Sequence, residues 1–109
     1  MTKKANWPTP TPVRRAIREI GENVTTWRKL QGLTAARVAD RAGVHVRTLR
    51  TLEHGEGSIS LENTLRIARA LGVLDQVAKA FDPYETDVGR LRTDEHLPLR
   101  VRSPRTSDG

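Results

Sequence analysis

Between Val44 and Gly55 the chain reads VHVRTLRTLEHG, and in that stretch His45, Val46, Arg47, Arg50 and Thr51 are interleaved with leucines at 49 and 52. If Val44, Leu49 and Leu52 turn into a core, those five residues face outward together near the start of one short helix, over roughly 45 to 53. Their types suit the edge of a base pair. Arginine can donate two parallel hydrogen bonds to guanine O6 and N7, and valine or a threonine methyl can pack on the thymine methyl. An ordinary solvated helix face favours Glu, Lys and Ala, yet no acid interrupts this run before Glu53.

Other chemistries find little support. His45, His54 and His96 are far apart and no two have the i, i+4 spacing of a helical metal site. No glycine-rich phosphate loop or serine-nucleophile motif occurs, and there is no cysteine for a thiolate nucleophile, a disulfide or a thiolate metal site. Neither catalysis nor a metal or other cofactor is expected. With 19 Lys and Arg against 13 Asp and Glu in 109 residues, the net charge of +6 makes an anionic polymer a natural partner. The start lacks the apolar run of a secretory signal, and no stretch approaches the roughly 18 apolar residues of a membrane span, so a cytoplasmic protein without a membrane partner is expected.

A short helix aims side chains outward only if its neighbours hold it. Three zones emerge: a Pro-rich arm over 1–12, expected to be flexible, a helical zone over 13–81, and a charged extension over 82–109. In the first helix Ile17, Ile20, Val24 and Trp27 form one stripe at steps of three and four, and Gly32 stops it. Thr34 reads as the N-cap of a second helix, AARVADRA, with Val38, Ala39 and Ala42 inward. Two turns are marginal alone, so this helix must be stabilised by packing. Gly43 then breaks the chain and turns it into the helix at 45 to 53. Two short helices joined at a glycine make a corner.

The run LTAARVADRAGVHVRTLRTLEHG resembles the helix-turn-helix of the Xre family of bacterial and phage regulators, which includes repressors and antitoxins. Ala39, Gly43, the apolar residues Val44, Leu49 and Leu52, and the Glu53-His54-Gly55 closure carry the likeness, which runs from about residue 17 to 73. The resemblance implies an all-α, five-helix lambda-repressor-like domain. It also implies an ion pair between Arg28 and Glu53, and a fourth helix, SLENTLRIARALGV, capped by Ser60, buried along Leu61, Leu65, Ala68 and Leu71, and ended by Gly72. It implies phosphate contacts from Thr34, Ala35, Arg37, Arg47, His54, Ser58 and Asn63. Many family members carry Gln where this chain has Ala35, so one side-chain contact is lost while the backbone amides of residues 34–36 remain.

One recognition helix reads only a few base pairs. A homodimer on double-stranded DNA, with half-sites roughly 34 Å apart in a palindrome, is the expectation. A fifth helix bearing Leu74, Val77, Ala78 and Phe81 supplies apolar surface for it. In the extension, LPLRVR alternates like a short strand, with Leu97, Leu99 and Val101 available to a second subunit or a partner. In this the chain is similar to HipB-like antitoxins, whose partner is a HipA-like serine/threonine kinase toxin. The resemblance thus implies a sequence-specific repressor that autoregulates a toxin pair. The alternatives are a stand-alone Xre-type repressor without a toxin, or an interaction module that no longer binds DNA.

Overall fold

The computed structural model describes residues 7–96, and every regular element there is helical, as the sequence implies. In order these are α1 (Thr11–Leu30), α2 (Ala35–Ala42), α3 (Val46–Glu53), α4 (Leu61–Leu71), α5 (Leu74–Lys79), one turn of 3₁₀-helix (Pro83–Glu85) and α6 (Asp87–His96). The chain divides into two compact units, the first ending at Leu74 and the second beginning at Asp75.

Local signals explain the ends of the first unit's helices. Helix α1 starts at Thr11 and takes in Pro12, which the sequence assigns to the extended arm. A proline in the first turn removes a donor that has no helical partner, so it starts a helix readily. The Thr34 hydroxyl accepts from the Arg37 amide at 3.1 Å, and the Ser60 hydroxyl from the Asn63 amide at 3.0 Å, capping α2 and α4. Gly43 follows α2 at φ 73°, a left-handed conformation that costs glycine little and any side chain more. The corner between α2 and α3 follows from that one residue.

Alanine decides how closely these helices approach. Ala35, Val38, Ala39 and Ala42 of α2, Leu49 and Leu52 of α3, and Ile67, Ala68 and Leu71 of α4 form the buried core, with Val38, Leu49 and Ile67 wholly enclosed. Helix α2 packs on α3 and α4, and α3 on α1. The buried face of α4 differs from the expected one. Ile67 is at its centre, whereas Leu61 is 71% exposed in the first turn and Leu65 is half-buried. Several apolar stripes are possible on that sequence, and contact with α2 selects the one through Ile67, Ala68 and Leu71.

Helix α1 also departs from expectation. Of its stripe, Val24 packs on the core and Ile17 is half-buried, but Ile20 and Trp27 remain 47% and 43% exposed. Its one buried residue is Gly21. A Cβ there would collide with the Leu52 carbonyl oxygen and stand 2.7 Å from that of Glu53, so the C-terminal end of α3 rests directly on the α1 backbone. At 1.5 Å per residue α1 runs about 30 Å and α3 about 12 Å, so much of α1 extends past the helix it supports.

The second unit holds the largest departure. The stretch after Asp82-Pro83, which shows little periodicity, forms helix α6, a sixth helix beyond the five expected. Side chains make its start and the turn before it: Asp82 accepts from the Tyr84 amide at 2.9 Å and caps the 3₁₀ turn, the Thr86 hydroxyl accepts from the Gly89 amide at 2.9 Å, and Arg90 donates to the Tyr84 carbonyl at 2.6 Å. None of α5, the 3₁₀ turn or α6 buries a residue. Phe81 falls past the end of α5 and is 91% exposed. The strand expected through Leu97, Leu99 and Val101, and the first half of the N-terminal arm, lie outside the described residues.

Candidate nucleic-acid interface

Helix α3 has eight residues, and what it buries determines what it can present. Leu49 and Leu52 are inward, and Val46, three positions before Leu49, shares their stripe and packs partly on the core. Val46 therefore does not stand out with the others, contrary to the expectation from the sequence. Thr51 is also half-buried. Its carbonyl accepts from the Glu56 amide at 3.1 Å, and its methyl lies beside Gly57 in the loop after α3. His45, Arg47 and Arg50 remain as the fully exposed members of the five.

His45 precedes the helix rather than opening it. Its Nδ1 accepts from the Arg47 amide at 3.2 Å and caps α3. An accepting Nδ1 places the ring proton of the neutral imidazole on Nε2, so the ring's outer nitrogen is a donor. The guanidiniums of Arg47 and Arg50 have no hydrogen-bond or ion-pair partner among the described residues, whose ion pairs are Arg28–Glu53, Arg66–Glu62, Arg90–Asp87 and a longer contact from His96 to Glu95. Two guanidiniums one helical turn apart are thus held in solvent with their donors unused.

The carboxylate nearest to them in sequence, Glu53, is already engaged. It accepts from Arg28 Nε at 2.7 Å and from Nη2 at 3.1 Å, with its side chain only 5% exposed. The third nitrogen, Nη1, donates to the Leu33 carbonyl at 3.1 Å. Glu53's hydrogen bonds hold the Arg28 guanidinium above its ordinary pKa, with the carboxylate's charge adding to the shift and burial opposing it. One side chain of α1 therefore ties the last residue of α3 to the residue that precedes the α2 cap. Gln31, to which the sequence reading gave no role, makes a parallel tie through Nε2 to the Leu71 carbonyl at 2.9 Å.

The residues expected to touch phosphates are spread over three places. Thr34, Ala35 and Arg37 occupy the N-terminus of α2; Ala35's side chain is buried, so only its backbone could reach an anion. Arg37, His54 and Ser58 are exposed, and Asn63 is half-buried in the first turn of α4. Of the residues expected at a dimer or partner contact, Leu74 and Val77 are half-buried and Phe81 exposed. Leu97, Leu99 and Val101 lie outside the described residues. Among the described residues no group of acids and histidines could hold a metal ion, and no helix is long and apolar enough to cross a membrane.

A helix-turn-helix family model (HTH_3) matches residues 25–81, which takes in α2, α3 and α4 whole. The chain is 32% identical over 85 residues to the cryptic phage CTXphi transcriptional repressor RstR of Vibrio cholerae serotype O1, covering 77% of this chain and 67% of that protein. No solved structure matches.

Proposed function

The chain belongs to the Xre-type helix-turn-helix family of DNA-binding transcriptional regulators, and we propose that it is a repressor that occupies a palindromic operator as a homodimer. The observation that carries this reading is the pair Arg47 and Arg50, exposed on α3 with no ion-pair partner among the described residues. In the proposed complex each guanidinium donates to guanine O6 and N7, His45 donates from Nε2, and the exposed edges of Val46 and Thr51 meet thymine methyls. Backbone amides at the start of α2, with Arg37, His54, Ser58 and Asn63, grip phosphates and set the register. Apolar residues Leu74, Val77 and Phe81 join the subunits so that two α3 helices lie roughly 34 Å apart. Occupancy of the promoter then blocks transcription.

The test is selection of an operator from random duplexes, followed by binding of R47A/R50A to the selected site. Loss of sequence preference with an unchanged helical circular dichroism spectrum is expected. Retained preference would assign the reading to another surface, and failure of the native chain to select any sequence would leave an interaction module.

A second reading adds a toxin. The exposed Phe81, Val88 and Leu91 of the second unit offer apolar surface to a partner, and the likeness of the extension to HipB-like antitoxins makes that partner a HipA-like serine/threonine kinase. Deletion of residues 83–109 is then expected to abolish binding to a kinase encoded beside this gene. The stand-alone repressor has the support of the phage repressor similarity, and for it the same deletion leaves repression unchanged.

A further inference from the structure

The positive charge of this chain is concentrated ahead of the helix-turn-helix. Its first 18 residues hold five of the 19 Lys and Arg and none of the 13 Asp and Glu, so the other 91 carry 14 cations against 13 acids and are nearly neutral. Three of the five, Arg14, Arg15 and Arg18, are on α1 before residue 25, where the family match begins. Clustered cations with no acid among them suit a polyanion, and here they fall outside the elements to which the DNA contacts are assigned.

The packing of α1 brings two of these arginines to the edge of that interface. Gly55, at φ 67°, follows α3 and rests on Arg18: a Cβ on Gly55 would stand 2.9 Å from both Cα and Cγ of Arg18, so the two segments meet backbone to backbone. Arg14 is one turn earlier, about 6 Å further along the helix. Arg14 and Arg18 line one groove of about 570 Å³ with Glu56 and Ser58 of the loop after α3, and His54 and Ser58 of that loop are the residues proposed above to meet phosphates. Both arginines are exposed and neither is in an ion pair among the described residues. Glu56, the one acid lining the groove, is exposed and in no ion pair either, so two cations against one acid leave the groove positive.

We propose that Arg14 and Arg18 grip the sugar-phosphate backbone of the same duplex, beside the base pairs that α3 reads and past the C-terminal end of that helix. The inference rests on the DNA reading of α3 and extends the interface along α1, onto residues outside the family match. Guanidiniums meet phosphate oxygens through charge-assisted hydrogen bonds, and the Ser58 hydroxyl adds a neutral donor in the same groove. Such contacts supply affinity and register and carry no base preference, so this part of the interface holds operator and unrelated duplexes alike.

The test compares two double variants that lose the same charge. R14A/R18A empties the groove of cations, whereas R15A/R69A removes two exposed arginines that do not line it. On the selected operator and on an unrelated duplex, R14A/R18A is expected to lower the slope of log K against log salt by about 2, at unchanged base preference and helicity. R15A/R69A is expected to lower it by less than half as much. An unchanged slope for R14A/R18A overturns the proposal, and so does an equal effect of the two pairs, which would reduce the arginines to general charge. A scan of single methylphosphonates through the operator then locates the contact. Neutralising one or two phosphates in each half-site, outside the base pairs that α3 reads, is expected to weaken binding of the native chain and not of R14A/R18A; equal losses for both proteins at every phosphate overturn it. Binding to the unrelated duplex needs no reading by α3, so R14A/R18A is expected to lower the salt slope there even in an R47A/R50A background. Failure of the recognition helix and failure of this contact are thereby read apart.

Discussion

Glu53 accepts two hydrogen bonds from Arg28, and the same guanidinium donates a third to the Leu33 carbonyl, so one arginine fixes the end of α3 and the approach to α2 together. Removing either charge leaves the other nearly buried without its partner, which costs about 3 to 5 kcal/mol. Small domains hold only about 5 to 15 kcal/mol in total, so R28A and E53A are expected to sit close to unfolding at 37 °C by thermal melts. The R28M/E53L double variant, which removes both charges and keeps the volume, is expected to regain most of the loss. Because Arg28 is held above its ordinary pKa, its share of stability is complete below the arginine range and is lost only as pH rises beyond it. Melting temperatures of R28A and the native chain are therefore expected to run parallel between roughly pH 6 and 9.

Gly21 makes a prediction of opposite sign to helix propensity. On an exposed helix face, replacing glycine by alanine gains up to about 1 kcal/mol. Here the added methyl meets the carbonyls of Leu52 and Glu53, and such overpacking costs about 1 to 3 kcal/mol. Thermal denaturation should place G21A below the native chain, with N23A, an exposed neighbour on α1, at or slightly above it. Operator affinity should fall with G21A as well, since the methyl pushes on the backbone that ends α3.

The bounds of α2 were legible because its signals are local: Thr34 caps it, Gly43 ends it, and both act within a few residues. Ser60 and Gly72 mark α4 in the same way. Positions within a short helix were harder to read. Eight residues with leucines at 49 and 52 leave open whether Val46 joins their stripe, and only packing against the other helices decides that it does. Leu61 and Ile67 exchanged expected roles for the same reason. Gly21 carried no signal, because close backbone approach depends on the partner helix rather than on any neighbour in sequence. Helix α6 has no apolar period to find, and its caps, Thr86 and Arg90, became meaningful only with the turn at Asp82 in place.

Phosphate and base contacts separate by their response to salt. Arg37 lies on the first turns of α2 and Arg50 on the outer face of α3. R37A is expected to weaken binding to operator and unrelated duplexes alike, and to reduce the slope of log K against log salt by about 1. R50A is expected to cost about 1 to 3 kcal/mol on the operator, leave unrelated duplexes nearly unaffected, and relax the preference at one base pair. A fluorescence titration series over salt concentration distinguishes them. Equal losses on all sequences for R50A would move that residue to the backbone.

His45 combines two roles in one ring, and substitution can separate them. Nδ1 caps α3 through the Arg47 amide, while Nε2 is free to donate outward. H45A removes both, at about 1 kcal/mol of stability for the lost cap, together with operator affinity. Asparagine is among the best N-cap residues because its side-chain oxygen accepts from the same region of the helix. H45N is therefore expected to restore the melting temperature, yet its shorter side chain commits its oxygen to the cap and cannot place a donor where Nε2 stands. Recovery of stability without recovery of operator affinity is the expected outcome. If affinity follows stability through both variants, His45 serves the helix alone and Arg47 and Arg50 carry the recognition.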